Sequence, residues 1–243
     1  MEVLLVNNPW PEASVYYIES TTSTMDLAYD LINQGVVTGT VIMAGYQTKG
    51  RGRFSMRRWE SLEKQNLLFT LIIKNQDMPQ NPSLTPLLAG YSLRAMLSEK
   101  YKIETQIKWP NDVLFESKKL AGILCEARSG YILVGIGLNC NQMEFPPMDR
   151  IIPTSLKLIA HRDFSLSQLL ADFLHHGHGI FHQGFDAELF NRHLYQRNQE
   201  ILFDTGKKQI KGILLGLSPD GGILIQQHEA DEPQAFYAGE ILY

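Results

Sequence analysis

At 243 residues the chain is long enough for one large domain, alone or with a small appendage, and its 44% apolar content supplies a proper core. A net charge of −4 argues against bulk nucleic-acid binding, so any basic segment is a local feature. The two cysteines, Cys125 and Cys140, have no metal-type spacing and read as buried free thiols; with neither a signal-peptide pattern nor a membrane-length apolar stretch, a soluble cytoplasmic protein is expected.

In chain order, residues 1 to 14 carry no distinctive signal beyond a loop at Asn7–Pro11, and Val15–Ile18 reads as the first strand. Ser23 and Asp26 have capping-box spacing ahead of Leu27, Ala28, Leu31 and Ile32, a helix stopped at Gly35. The strand Gly39–Tyr46 feeds Gln47 and a glycine-spaced basic loop, Gly50-Arg-Gly-Arg53, followed by Arg57-Arg58-Trp59. Leu67–Ile73 is nearly continuous apolar sequence and reads as a central strand. Ser83 is expected to cap a helix carrying Leu84, Leu87, Leu88, Tyr91 and Ala95 on one face, with Pro86 tolerated in its first turn.

The segment Lys108-Trp-Pro-Asn-Asp112 then leads into a hairpin, Val113–Phe115 and Lys119–Leu124, joined by the polar link Glu116–Lys119. Pro110 and Asn111 interrupt strand pairing and leave Lys108 and Asp112 on an irregular corner. Strand alternation sends Lys118 and Lys119 to opposite faces, and Gly122 lets a ligand approach the backbone. Tyr131–Val134 runs into the strand end Gly135-Ile-Gly-Leu-Asn139, and a proline-bearing loop covers residues 142–153.

A helix follows with Leu166, Leu169, Leu170, Phe173 and Leu174 inward and His175, His176, His178 and His182 on the other side. Glycines at 177 and 179 and the lack of a carboxylate at matching spacing favour a solvated face over a metal site there. From about Gln199 the texture changes to short strands and tight turns: Ile201–Phe203, Ile210–Leu217, Ile223–Ile225 and Ala235–Leu242. The chain is accordingly divided at 1–198 and 199–243.

Taken alone, the corner and hairpin could be an ordinary surface hairpin with structural charges as readily as a site for a charged substrate. The basic loop changes that balance. Lys108-Trp-Pro-Asn-Asp112, Lys119-Leu-Ala-Gly-Ile-Leu124, Gly50-Arg-Gly-Arg53 and Gly135-Ile-Gly-Leu-Asn139 together resemble the biotin protein ligases, from about Thr22 onward.

The resemblance implies an α+β fold: a mixed or antiparallel sheet with flanking helices, class II synthetase-like, plus a small C-terminal SH3-like β-barrel. It implies ATP, Mg²⁺ and biotin as ligands, a biotin carboxyl carrier domain as partner, and a monomer or homodimer. It assigns Ser23, Thr24, Gln47, Gly50, Arg51, Gly52, Arg53, Lys119 and Gly122 to biotin. Arg51, Arg53, Arg57, Arg58, Trp59, Lys108, Asn111, Lys119 and Asn139 fall to ATP or the adenylate. Lys119, Arg53 and Asp112 would carry the chemistry, with Asp112 also placing Mg²⁺.

This chain has Met25 where the family usually has Asn, and a longer stretch, Phe54-Ser-Met-Arg-Arg58, before Trp59. The loop's arginines repel one another, so its closure is expected to await a negative partner. Three competing readings remain: a lipoate or octanoate ligase of related fold, an RNA-binding segment, and a non-catalytic biotin-responsive regulator. About twenty residues precede the Ser23 helix, too few for a helix-turn-helix, so DNA binding is not expected.

Overall fold

The computed structural model describes residues 1–54, 57–78, 81–146, 151–228 and 230–242. Eight strands form a mixed sheet: β1 (Glu2–Val3), β2 (Val15–Thr21), β3 (Thr40–Gln47), β4 (Asn66–Lys74), β5 (Gln106–Lys108), β6 (Asp112–Phe115), β7 (Lys118–Arg128) and β8 (Tyr131–Asn139). Their spatial order is β1-β2-β3-β4-β8-β7-β6-β5. Among these described strands only β2 and β3 pair in parallel, and the helix α1 (Thr24–Ile32) is the crossover between them.

The apolar run of β4 is central because both faces of the sheet are covered. On one face Met25, Ala28, Leu31 and Ile32 of α1 pack on Ile42, Ile72 and Leu133. On the other, Leu67, Phe69 and Leu71 meet Leu88, Leu93 and Met96 of α2 (Thr85–Tyr101), with Phe173 and Leu174 beyond. Those last two lie on a long helix; α3 (Leu156–Ala160), α4 (Leu166–Gln183) and α5 (Ala187–Asn191) complete the helices. None is long and apolar enough to cross a membrane among the described residues.

A second, antiparallel sheet follows: β9 (Glu200–Asp204), β10 (Gln209–Leu217), β11 (Ile223–Gln227), β12 (Gln234–Phe236) and β13 (Glu240–Ile241), ordered β12-β11-β10-β9-β13. The expected single strand Ala235–Leu242 is thus two strands at opposite edges of this sheet. The chain crosses between them at Tyr237–Gly239, and Gly239, at φ 140°, lies against the Phe203 ring, where a side chain has no room.

Two other expectations are corrected. Ser83 does not cap α2: Asn81 accepts from the Ser83 N–H, and a 3₁₀ turn over Pro82–Leu84 precedes the helix. The histidine face is not uniformly solvated, since His178 packs edge-on against Trp10 at 5.0 Å and His176 Nε2 meets Glu99 at 3.2 Å.

The apolar core runs without interruption from the large sheet into the small one. Trp109 donates its indole N–H to the Gly221 carbonyl at 3.1 Å, and its ring stands 5.8 Å from that of Phe203, which is fully buried. Phe203→Ala would leave a cavity between the two sheets. We expect it to cost ~3–5 kcal/mol in urea unfolding with the m-value unchanged; a loss under ~1 kcal/mol would mean the sheets are not coupled there.

Candidate active site

The α1 face of the sheet holds a cavity of about 800 Å³. Its floor exists because side chains are missing. Along β8 the residues facing this side are Leu133, Gly135, Gly137 and Asn139, and Gly122 of β7 stands opposite Gly137 in register. An ideal Cβ on Gly122 would lie 2.9 Å from Cζ3 of Trp59, one on Gly137 2.7 Å from its Nε1, and one on Gly135 2.9 Å from the Met25 sulfur. Trp59 and Met25 therefore rest directly on glycine backbone. The Trp59 indole N–H is buried with no hydrogen-bond partner among the described residues.

One end of the cavity is polar and uncharged. The Thr24 N–H and hydroxyl both donate to Gln47 Oε1, at 2.7 and 3.1 Å, and Thr70 donates to the Thr24 hydroxyl at 2.8 Å. Ser23 Oγ accepts from the Met25 N–H at 3.3 Å, so it does cap α1. Capping leaves the Ser23 hydroxyl hydrogen free to donate elsewhere.

The other end is charged. Lys108 and Asp112 are register partners on β5 and β6, joined through a cis Trp109–Pro110 peptide. Asn111 pins this corner, its Nδ2 donating to the Ile123 carbonyl at 2.7 Å. Lys119 Nζ sits 2.7 Å from Asp112 Oδ1 and 5.8 Å from the Trp59 ring centre. Lys118 is exposed, as alternation requires.

Alternation alone, however, would place Lys119 and Gly122, three residues apart, on opposite faces. A bulge resolves this: Ala121 pairs with Val113 and Lys119 with Leu114, so Leu120 is an extra residue and both Leu120 and Ala121 turn into the core. Asn139, also lining the cavity, spends its amide N–H on the Thr154 carbonyl at 3.0 Å.

The basic loop is folded onto this site as a small hairpin, with Arg51 bridged to Arg58, Gly52 N–H bonded to the Arg57 carbonyl at 3.0 Å and Trp59 N–H to the Gly50 carbonyl at 3.1 Å. Ser55 and Met56 lie outside the described residues. The chain itself supplies partners for three of the loop's arginines. Arg51 lies 3.2 Å from Asp26 and 3.6 Å from Glu126. Arg53 donates to the Gly239 carbonyl at 2.5 Å, and Arg57 makes two bonds to Glu240, at 2.8 and 2.7 Å. Arg58 is exposed at the rim.

Every residue singled out from sequence except Gly50 lines this one cavity. Gly50 instead gives clearance to the returning Trp59 backbone. Asp26, Glu126, Asp204, Glu240 and Thr70 were not anticipated. Asp26 looked sufficient as a capping residue, and no local pattern links Glu240 to a loop 183 residues earlier. Among the described residues no group of three or more His, Cys, Asp or Glu could hold a metal, and the Asp112 carboxylate is engaged by Lys119.

Burial pushes the Lys108 ammonium down to about 8 from 10.5, against the pull of Asp112. The folded state thus binds its proton less well than the unfolded chain, so stability rises with pH between about 8 and 10.5, and the penalty is complete below that window. Lys108→Met should therefore stabilise the fold at pH 7 by about 3 kcal/mol, with the gain fading to nothing by about pH 10.5. Urea titrations at several pH values would show it, and a gain independent of pH would refute the assignment.

Comparison with known proteins follows the same residues. The model of the biotin/lipoate A/B protein ligase family matches residues 17–142, more than half of the chain. The bifunctional ligase/repressor BirA of Bacillus subtilis (strain 168) is 39% identical over 153 residues, covering 59% of this chain and 46% of that protein. A biotin–[acetyl-CoA-carboxylase] ligase of Mycobacterium tuberculosis is 33% identical over 137 residues, covering 55% and 51%. The chain thus spans about half the length of these curated relatives. The biotin protein ligase from Aquifex aeolicus, solved in complex with biotin and ATP, superposes with a TM-score of 0.82 at 30% identity, covering 93% of this chain and 97% of that one. With a family model matched over more than half of its length, the chain belongs to the biotin/lipoate A/B protein ligase family.

Proposed function

We propose that the chain is an ATP-dependent ligase that activates biotin as biotinyl-5′-AMP and transfers the biotinyl group to a lysine of a biotin carboxyl carrier domain. One observation carries this reading: a single cavity joins an uncharged polar end at Ser23, Thr24 and Gln47 to a cationic end at Lys108, Lys119, Arg53 and Arg57, across a floor without side chains. Biotin has that same order of parts, a ureido ring that donates and accepts hydrogen bonds, an apolar chain and a carboxylate. Lipoate's dithiolane offers no donors or acceptors to the polar end, and a site built to hydrogen-bond rejects a ligand that leaves its groups unpaired.

In the first step the biotin carboxylate attacks the α-phosphorus of ATP and pyrophosphate leaves. Two anions must approach, so the barrier falls when fixed cations face the shared oxygens. Lys119, aimed by Asp112, holds that position, and Lys108 lies on the same corner. Mg²⁺ enters as the triphosphate's counter-ion and thus as substrate; Asp112, which Lys119 already engages, is the corner carboxylate that would meet it. Trp59 covers the floor and excludes water from the anhydride. In the second step the carrier's lysine amine attacks the anhydride carbonyl, a C–N bond forms, AMP leaves, and no nucleophile of this chain is consumed. The division at 1–198 and 199–243 belongs to this reading, the first part binding the ligands and the second closing the nucleotide end.

Biotin-dependent ATP–pyrophosphate exchange is the direct test, with lipoate run in parallel; exchange with lipoate alone would replace biotin in the reading. Lys119→Ala should lower exchange ~10²–10³-fold while Lys118→Ala stays within about twofold. Equal losses would remove Lys119 from its place. Gly137→Ala should displace Trp59 and raise the KM for biotin about tenfold or more, at a stability cost of ~1–3 kcal/mol; an unaltered KM would show that biotin does not depend on where Trp59 rests.

A further inference from the structure

Arg53 and Arg57 come from one loop of the ligand-binding part, yet both end on the C-terminal sheet. Their guanidinium groups stand 4.7 and 4.3 Å from the Phe54 ring centre, so two like charges share one aromatic ring. Burial and the neighbouring Arg57 charge disfavour the Arg53 cation, and Glu240 is the first opposing attraction. Glu240 itself is rigidly mounted. It pairs with Asp204 through β13, its neighbour Ile241 is fully buried, and Gly239 is wedged against Phe203.

We propose that Glu240 is a positioning residue that fixes Arg57, and with the adjoining Gly239 carbonyl Arg53, at the nucleotide end of the cavity before any nucleotide arrives. Both terminal nitrogens of Arg57 bond separate oxygens of one carboxylate, a fork that fixes orientation as well as distance. The side chains are 38% and 19% exposed, which places this pair between a solvated contact of little consequence and a buried one. Without the carboxylate, Arg53 and Arg57 would repel each other around Phe54 and the loop would lose its hold on β13. What the arginines are held for rests on the proposed function; that they are held does not.

The test begins with ligand-free protein and trypsin, mapping cleavage after Arg53 by mass against cleavage after Arg128 at the exposed end of β7. Glu240→Gln should speed cleavage at Arg53 about tenfold, equivalent to ~1.4 kcal/mol of lost restraint, and leave Arg128 unchanged. The reciprocal swap, Arg57→Glu with Glu240→Arg, should restore protection of Arg53. If Glu240→Gln folds poorly, Arg57→Gln removes the same pair from the other side and is read at the same site.

Unchanged cleavage at Arg53, or equal acceleration at both sites, would overturn the proposal, the second because it signals general destabilisation. Release of biotinyl-adenylate from Glu240→Gln should also be several-fold faster than from the wild type, with the KM for biotin within about twofold. Equal release would overturn the nucleotide-end role. A wild type that forms no adenylate would refute the proposed function while leaving the cleavage comparison to decide whether Glu240 holds the loop.

Discussion

A trough can open on the face of a β-sheet only where side chains are absent, and this protein depends on that constraint at Gly122, Gly135 and Gly137. Each lies so close to Trp59 or Met25 that a methyl group would have to displace its neighbour. The cost falls on strand stability, since glycine adds backbone entropy to the unfolded chain and leaves nothing to pack. That cost is offset by the opposite face, where Leu120, Ala121, Ile123, Val134, Ile136 and Leu138 are buried against α2 and α4. The bulge at Leu120 belongs to the same arrangement. It lets one strand give two successive side chains to the core and still turn Lys119 toward the trough.

Charge is organised around that floor by compensation. Arg51 is held by Asp26 and Glu126, Lys119 by Asp112, and Arg57 by Glu240, so these three cations each meet a carboxylate on a different element. Partly buried cations would otherwise be desolvated without return. A triphosphate entering the site would therefore exchange protein carboxylates for phosphate oxygens rather than neutralise bare charge.

The C-terminal sheet is tied into this balance rather than appended to it. Trp109, next to Lys108, anchors the corner to Gly221 and Phe203, while Glu240 and the Gly239 carbonyl take the loop's arginines. The corner and the loop thus share one support, so a change in the small sheet is felt at both.

The sequence by itself determined the elements and the chemistry they carry. Period and punctuation placed the helix after Ser23, the buried strand Leu67–Ile73, the hairpin after Asp112 and the short strands beyond Gln199, because these signals are local and strong. The grouping of Lys108–Asp112, Lys119–Leu124 and Gly50–Arg53 pointed to one site, and all but one of the residues named from it line one cavity. Other features were decided only in three dimensions. The bulge at Leu120 leaves no local trace, since one extra apolar residue in an apolar strand looks like any other. The start of α2 at Thr85 follows a 3₁₀ turn that Asn81 caps, and no side chain caps α2 itself. The partnership of Arg57 with Glu240 depends on where two distant segments meet, and tertiary packing alone sets that, because electrostatic partners are chosen by proximity in space and not by spacing along the chain.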